Sequence, residues 1–362
     1  MKFLIKVVMM SFFLYSSVAL CQNNLERLPA LDSILNLSWQ QSGQKYSSNP
    51  LVCSGLVFET YGLEYALEIT EGLKLFYKNN LHQAKIRNLM QDSLIYFSSR
   101  AGNKLINIYK GEIIFQTTVP IKKPWIKKPR VIRGDLFAAL NDSVFARIDV
   151  KSGAVLWQTK IHQVFDFPIF FNEMVYVCGS KYLYCLNSQT GQIVQKIEIG
   201  IAESSLILHD KKVFIWIRGK GLTAYDLIMK KQLWTLDNYP RTGEHEVILN
   251  NESLYFNSEK LTRVNVKDGS VVWSNNLDSH ESFTLGVFDK YILSFKTIDD
   301  NSTIVACNRE TGRIEFEGLT SELNSAYSNS ELNNKVFRFA QPSNDKLVFV
   351  DSSGGIYCFR LK

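Results

Sequence analysis

No H-E-x-x-H, C-x-x-C or G-x-S-x-G occurs in the 362 residues. The single-segment signatures of a zinc peptidase, a dithiol site and a serine-hydrolase elbow are therefore absent. Beyond residue 20 no apolar run is long enough to cross a bilayer, and no long helical pattern interrupts the chain. Cysteines number six, and Cys53, Cys178, Cys185, Cys307 and Cys358 show no framework spacing. Cys178 and Cys185 flank a short turn in VCGSKYLYC, so a cross-strand bridge is geometrically allowed, the other reading being small buried hydrophobes. An excess of one charge is missing too. Lys and Arg number 41 against 35 Asp and Glu, a net +6 that is too mild to argue for nucleic acid.

What is present is ordinary globular composition, 46% hydrophobic and 21% charged, enough for a sizeable core. Residues 1–21, MKFLIKVVMMSFFLYSSVALC, place Lys2 and Lys6 before an apolar stretch, the layout of a secretory signal. Cleavage could follow Ala19 or Cys21. V-A-L-C also resembles a lipobox, but Leu20 is larger than such a box requires, so a lipid anchor at Cys21 is not favoured. Removal of the signal leaves about +4. Residues 22–33 then form an N-terminal segment, and 34–362 a single domain.

Length alone suggests roughly two domains, but a repeat overrides it. In ARIDVKSGAVLWQTK, Asp149 stands four residues before Gly153 and Trp157 four after. Equivalent segments centre on Gly72, Gly111, Gly191, Lys230, Gly269 and Gly312, at separations of 39, 42, 38, 39, 39 and 43 residues. Before each marker stand Glu68, Asn107, Asp149, Asn187, Asp226, Asn265 and Asn308, residues that accept hydrogen bonds from turn amides. After it stand Phe76, Phe115, Trp157, Gln195, Trp234, Trp273 and Phe316, aromatic but for Gln195 and read as packing residues.

Each unit also carries upstream strand-like runs such as LIYFSS, MVYVCG, KVFIWI and KLVFVD. Three or four short strands per unit give one small antiparallel sheet, which must stack on its neighbours to bury both faces. A closed ring of such sheets is a β-propeller. IYCFRLK at 356–362 reads as a third strand with no outer strand after it. ILNLSWQQSG at 34–43 reads as an outer strand without a partner, with Trp39 in the aromatic position. The expectation is all-β: eight four-stranded antiparallel blades, the ring closed by the N-terminal outer strand pairing with the C-terminal strands.

The spacing A-x-D-x-x-x-G-x-x-x-W, met by Ala224, Asp226 and Trp234 and in part by Asp149, Gly153 and Trp157, resembles the tryptophan-docking motif of the pyrroloquinoline-quinone-like propeller repeat family. The resemblance extends over nearly the whole chain beyond the signal. It implies that the aromatic docks one blade on the next, and assigns that role to Trp39, Phe76, Phe115, Trp157, Trp234, Trp273 and Phe316. Lys230, Gln195 and the Asn and Glu residues at most Asp positions depart from the motif.

Quinoprotein dehydrogenases of this superfamily look much longer and carry a vicinal cysteine pair and a calcium site. The chain has no Cys-Cys and no compact carboxylate cluster. RGKGLTA at 218–224 matches G-x-G-x-x-A but leads into a strand, not the helix a dinucleotide needs. His82, His162, His245 and His280 fall in connections between blades without ligand spacing. No catalytic, cofactor-binding or metal-binding residue is assigned. Binding is sought in the loops. KKPWIKKPR surrounds Trp125 with Lys122, Lys123, Lys127, Lys128 and Arg130, and NYPRTGEHE offers Tyr239 and Arg241 in an equivalent connection. Basic, aromatic loops suit an acidic protein surface, anionic lipid or glycan.

The resulting expectation is a non-catalytic, exported scaffold, periplasmic or outer-membrane associated, that binds an envelope protein as a monomer within a complex. It takes no cofactor and no nucleic acid, and peripheral membrane association is allowed. Outer-membrane protein assembly is one setting the resemblance implies. The alternatives are a small quinoprotein-type enzyme and an extracellular sensor or adhesion module.

Overall fold

The computed structural model describes residues 35–41, 51–53, 56–58, 65–68, 74–76, 86–89, 94–99, 102–107, 112–117, 129–164, 168–204, 206–237, 247–258, 260–277, 281–298, 301–319, 337–343, 346–351 and 356–362. Every regular element among them is a β-strand. The strands form four-stranded antiparallel sheets, in chain order along residues 51–76, 86–117, 130–160, 169–198, 207–236, 248–276 and 281–319. One further sheet joins Phe337–Ser343, Lys346–Asp351 and Ile356–Leu361 to the N-terminal strand Leu35–Gln41. There Leu35 stands opposite Leu361, and Trp39 opposite Cys358.

Within a sheet the burial pattern follows strand position. Gly221–Asp226, a third strand, is buried at every residue, and Val213 to Ile217 of the second strand likewise. A strand covered on both faces reads as a continuous apolar run, which is how KVFIWI appears. The fourth strand Ile193–Glu198 instead alternates between half-buried and exposed residues, as a strand on the perimeter does.

Consecutive sheets pack face against face. Phe137, Phe145 and Trp157 of one sheet share a core with Val175, Val177, Tyr184 and Leu186 of the next. Tyr176, Cys178, Leu183 and Cys185 meet Val213, Ile215, Ile217 and Tyr225, and Phe214 and Trp216 meet Leu254, Phe256 and Val264. Tyr255 and Leu261 meet Ile292, Val305 and Cys307. Each fully buried aromatic such as Phe214 or Phe256 contributes roughly 1.5–3 kcal/mol of burial. Stability is thus distributed over the seams, as in other repeat proteins. Cys178 and Cys185 are buried thiols, not a bridge, because the register sets Cys185 opposite Tyr176 and Cys178 opposite Leu183.

A feature not read from the sequence recurs at the fourth strand. One residue before the aromatic position, the ladder slips by one residue. Leu156, Val194, Leu233, Val272, Glu315 and Ile114 are the unpaired residues of these β-bulges. A bulge increases local twist and re-aims the neighbouring side chain. Here the neighbour is Trp157, Gln195, Trp234, Trp273, Phe316 or Phe115.

Candidate functional site

The repeated residues build a seam between sheets, starting from the turn. In the five described turns the marker amide donates to the backbone oxygen four residues earlier: Gly153 to Asp149, Gly191 to Asn187, Lys230 to Asp226, Gly269 to Asn265 and Gly312 to Asn308, at 2.8–3.0 Å. The Asp or Asn side chain holds the tip. Asn187 Oδ1 accepts from the Gln189 and Thr190 amides at 3.0 Å each, and Asn308 Oδ1 from Glu310 and Thr311 at 2.9 and 3.1 Å. Asp149 Oδ1 accepts from the amide and hydroxyl of Ser152, and these bonds hold its carboxyl below the usual range. Buried Asp226 is opposed by desolvation, yet the Met229 and Ile228 amides and the Lys211 charge keep it below the ordinary value.

The marker's φ is near +72° at Gly153, Gly191 and Gly312 and +76° at Gly269. That conformation suits glycine. Contact with the preceding sheet adds a second demand. A Cβ on Gly191 would lie 2.5 Å from the Trp157 ring, one on Gly269 2.6 Å from Trp234, and one on Gly312 2.5 Å from Trp273. The three indole N–H groups donate to oxygens of the same turns, Trp157 to Ser188 at 2.9 Å, Trp234 to Val266 at 3.3 Å and Trp273 to Arg309 at 3.1 Å. Ring and glycine are therefore two halves of one contact, contributed by successive repeats. Phe115 is buried with Leu136, Ala138 and Ile148 of the next sheet, whereas Phe316 packs edge-on to Tyr291 of its own. For Trp39 and Phe76 the backbone position alone is described, opposite Cys358 and Tyr65.

Two arginines brace these seams and were missed by sequence reasoning. Arg147, opposite Trp157, pairs with Asp135 at 2.5 Å and donates to Ser188 O at 3.0 Å and Gln189 Oε1 at 2.7 Å of the next sheet. Arg263, opposite Trp273, repeats the arrangement with Ser253, Arg309 O and Glu310. The signal was an Arg ten residues before a Trp, present twice.

Lys122, Lys123, Trp125, Lys127, Lys128, Tyr239 and Arg241 lie outside the described residues, as do His82, His245 and His280. Arg130 opens the short strand Arg130–Ile132, opposite Phe137, with an exposed side chain. His162 sits in a turn, while His209, on the strand Ile207–His209, meets Glu252 of the next sheet at 2.9 Å. Among the described residues no three His, Cys, Asp or Glu side chains gather as a metal site would require.

The sequence matches the family described as outer membrane protein assembly factor BamB, over residues 82–275 and again over 142–362. No curated protein matches it by sequence. Among solved structures it superposes on BamB from Moraxella catarrhalis with a TM-score of 0.63 at 13% identity, covering 90% of this chain and 100% of that one. The computationally designed Ika8 protein gives 0.67, also at 13% identity, covering 90% of this chain and 99% of that one. These likenesses bear on the fold, a β-propeller of PQQ-like repeats.

Proposed function

The chain belongs to the outer membrane protein assembly factor BamB family, and on that premise we propose that it is a non-catalytic scaffold of the cell envelope that holds a protein partner during outer-membrane protein assembly. The observation that carries this reading is the allotment of side chains. Most of the described motif residues close turns or fasten one sheet to the next, as Trp157 does on Ser188 and Gly191. Specificity then falls to the connections that do not repeat, the usual place for it on a rigid scaffold.

The scaffold in this reading is one exported domain of eight blades closed into a ring. Supporting it, Leu35–Gln41 supplies the fourth strand beside Ile356–Leu361. The first strand of that sheet also lies against the first strands of both the 281–319 and the 51–76 sheets. The partner docks on the loop carrying Lys122, Lys123, Trp125, Lys127, Lys128 and Arg130, with Tyr239 and Arg241 from another connection, by surface complementarity without bond making. Rim charges of this kind steer encounter and set salt dependence.

The test is in-cell crosslinking of the wild type and of a Lys127→Glu, Lys128→Glu, Arg130→Glu variant, with identification of the envelope proteins captured. The variant should keep its far-UV spectrum and lose most of the partner yield. Undiminished capture removes the site assignment, and crosslinks confined to non-envelope proteins remove the function.

A further inference from the structure

Four of the five described turns display polar or charged tips: Lys151 and Ser152, Gln189 and Thr190, Lys267 and Asp268, Glu310 and Thr311. The fifth, between Gly221–Asp226 and Lys231–Leu236, displays Ile228 and Met229, 56% and 50% exposed. This is the turn whose marker is Lys230 rather than glycine, with φ +58°. It is also the turn that faces the fourth strand whose aromatic is replaced by Gln195.

Contacts place the turn on that strand. Leu227 is buried in one cluster with Cys185, Tyr176 and Ile197, and Ile197 lies two residues beyond Gln195. The charge of Lys230 acts on the Cys185 thiol, opposing the burial that pushes it up. Lys230 therefore holds the marker position of the seam that has Gln195 where other seams hold an indole ring. On the near side of Gln195 the bulge residue Val194 is 55% exposed. Val194 from one sheet and Ile228 and Met229 from the next so flank a single seam on the perimeter.

Lysines surround this apolar strip. Lys211, Lys230 and Lys231 are exposed, with Lys211 3.6 Å from the buried Asp226 carboxylate. Asp210, next to Lys211 in the chain, is the exposed acidic group there, and its carboxylate lies 3.8 Å from His209. The balance is basic. The fourth strand Ile193–Glu198 lies at the end of its sheet, so a chain running beside it meets a strand edge.

We propose that this seam is a docking slot for an extended segment of another protein, one that carries an aromatic or aliphatic side chain flanked by carboxylates. The apolar side chain rests on Ile228 and the polarizable Met229 thioether, a surface that adapts to rings. The carboxylates meet the lysines. The segment's backbone runs along the edge of Ile193–Glu198, an established mode of peptide recognition. That edge favours a protein over a lipid surface, which would make no use of it. A contact this small is weak and transient. The inference stands apart from the envelope role and from the loop at 122–130.

The probe is a labelled peptide Glu-Asp-Ile-Trp-Ile-Asp-Glu, titrated into protein with labelled Ile, Met and Val methyl groups. A second peptide carries Lys for the acidic residues, a third Ser for the apolar ones, and phosphatidylglycerol vesicles form a separate arm. The methyl signals of Val194, Ile228 and Met229 should move while Val155, Val271 and Val272 stay still. The Ile228→Ser, Met229→Ser variant and the Lys230→Glu, Lys231→Glu variant should each lower affinity at least about tenfold. Gln195→Trp with Lys230→Gly, which rebuilds the ordinary seam, should do the same with its fold intact, whereas Val271→Ser with Val272→Ser should not. Absent or uniform methyl shifts, equal affinity for the lysine peptide, or vesicle binding without peptide binding would overturn the proposal.

Discussion

Replacing Gly191 by Ala tests whether the seam, rather than backbone freedom alone, fixes glycine at the marker. Gly191 and Gly219 share a φ of +72°, but a Cβ at Gly219 meets nothing within 4 Å, whereas at Gly191 it meets Trp157 Cε3 at 2.5 Å, Cδ2 at 2.6 Å and Thr159 Oγ1 at 2.9 Å. The left-handed backbone costs an L-residue roughly 1–2 kcal/mol at either position. Overpacking adds about 1–3 kcal/mol at Gly191 alone, because the ring is held by its own hydrogen bond to Ser188. Gly191→Ala should therefore lose about 2–5 kcal/mol and Gly219→Ala about 1–2. In a Trp157→Ala background, itself down by about 3–5 kcal/mol, the Gly191→Ala step should shrink to the backbone cost. The double-mutant cycle then returns a coupling of about 1–3 kcal/mol. Urea titration followed by far-UV circular dichroism reads all five proteins without relying on the indole that is removed. Equal losses at the two glycines, or additivity within about 0.5 kcal/mol, would refute the reasoning.

The same seam logic predicts opposite signs for two exchanges at equivalent turns. Lys230→Gly relieves a non-glycine residue at φ +58° and should raise stability by about 0.5–1 kcal/mol. Gly269→Lys should lower it by several times that, its Cβ falling 2.6 Å from Trp234, and thermal midpoints of both variants decide. A separate prediction concerns acid. The Ser152 bonds depress the Asp149 carboxyl in the folded state, so its contribution is present above the unfolded value of about 3.9 and is lost as pH falls through the folded value. Asp149→Asn should change the midpoint little at pH 7, since Asn187 and Asn308 hold their turns in the same way. On acidification below about pH 4 the wild type should lose more than the variant. Parallel midpoint curves for the two would contradict this.

Strand positions, the turn marker and the pairing of residues 35–41 with 356–361 were legible because each rests on local periodicity or on an unpaired strand pattern. Val213 to Ile217 reads as an apolar run because both faces are covered. The bulge before each aromatic position was not legible. Nothing in AVLWQTK marks Leu156 as unpaired, since a ladder slip is a property of two strands and not of one. The braces by Arg147 and Arg263 escaped for the same reason, their partners lying about one repeat further on. Of the loop proposed to bind, residues 122–128 lie outside the described residues, and Arg130 is the described member of that set.

The two strongest departures from the repeat become one fact in three dimensions. Within a single unit Gln195 looks like a lost aromatic and Lys230 like a lost glycine, two unrelated weaknesses 35 residues apart. Across the seam they are partners, because Trp157, Trp234 and Trp273 each lie against the marker of the next repeat, and Gln195 and Lys230 occupy the equivalent pair of positions. Once the ring is gone the marker tolerates a Cβ, and a lysine can occupy the left-handed position at modest cost. The turn tip there has no indole N–H to receive, and Ile228 and Met229 stand exposed on it. A repeat constrains a residue only through its neighbour, so relaxation at one position licenses relaxation at the other. The seam where both are relaxed is where this scaffold is freest to acquire a surface of its own.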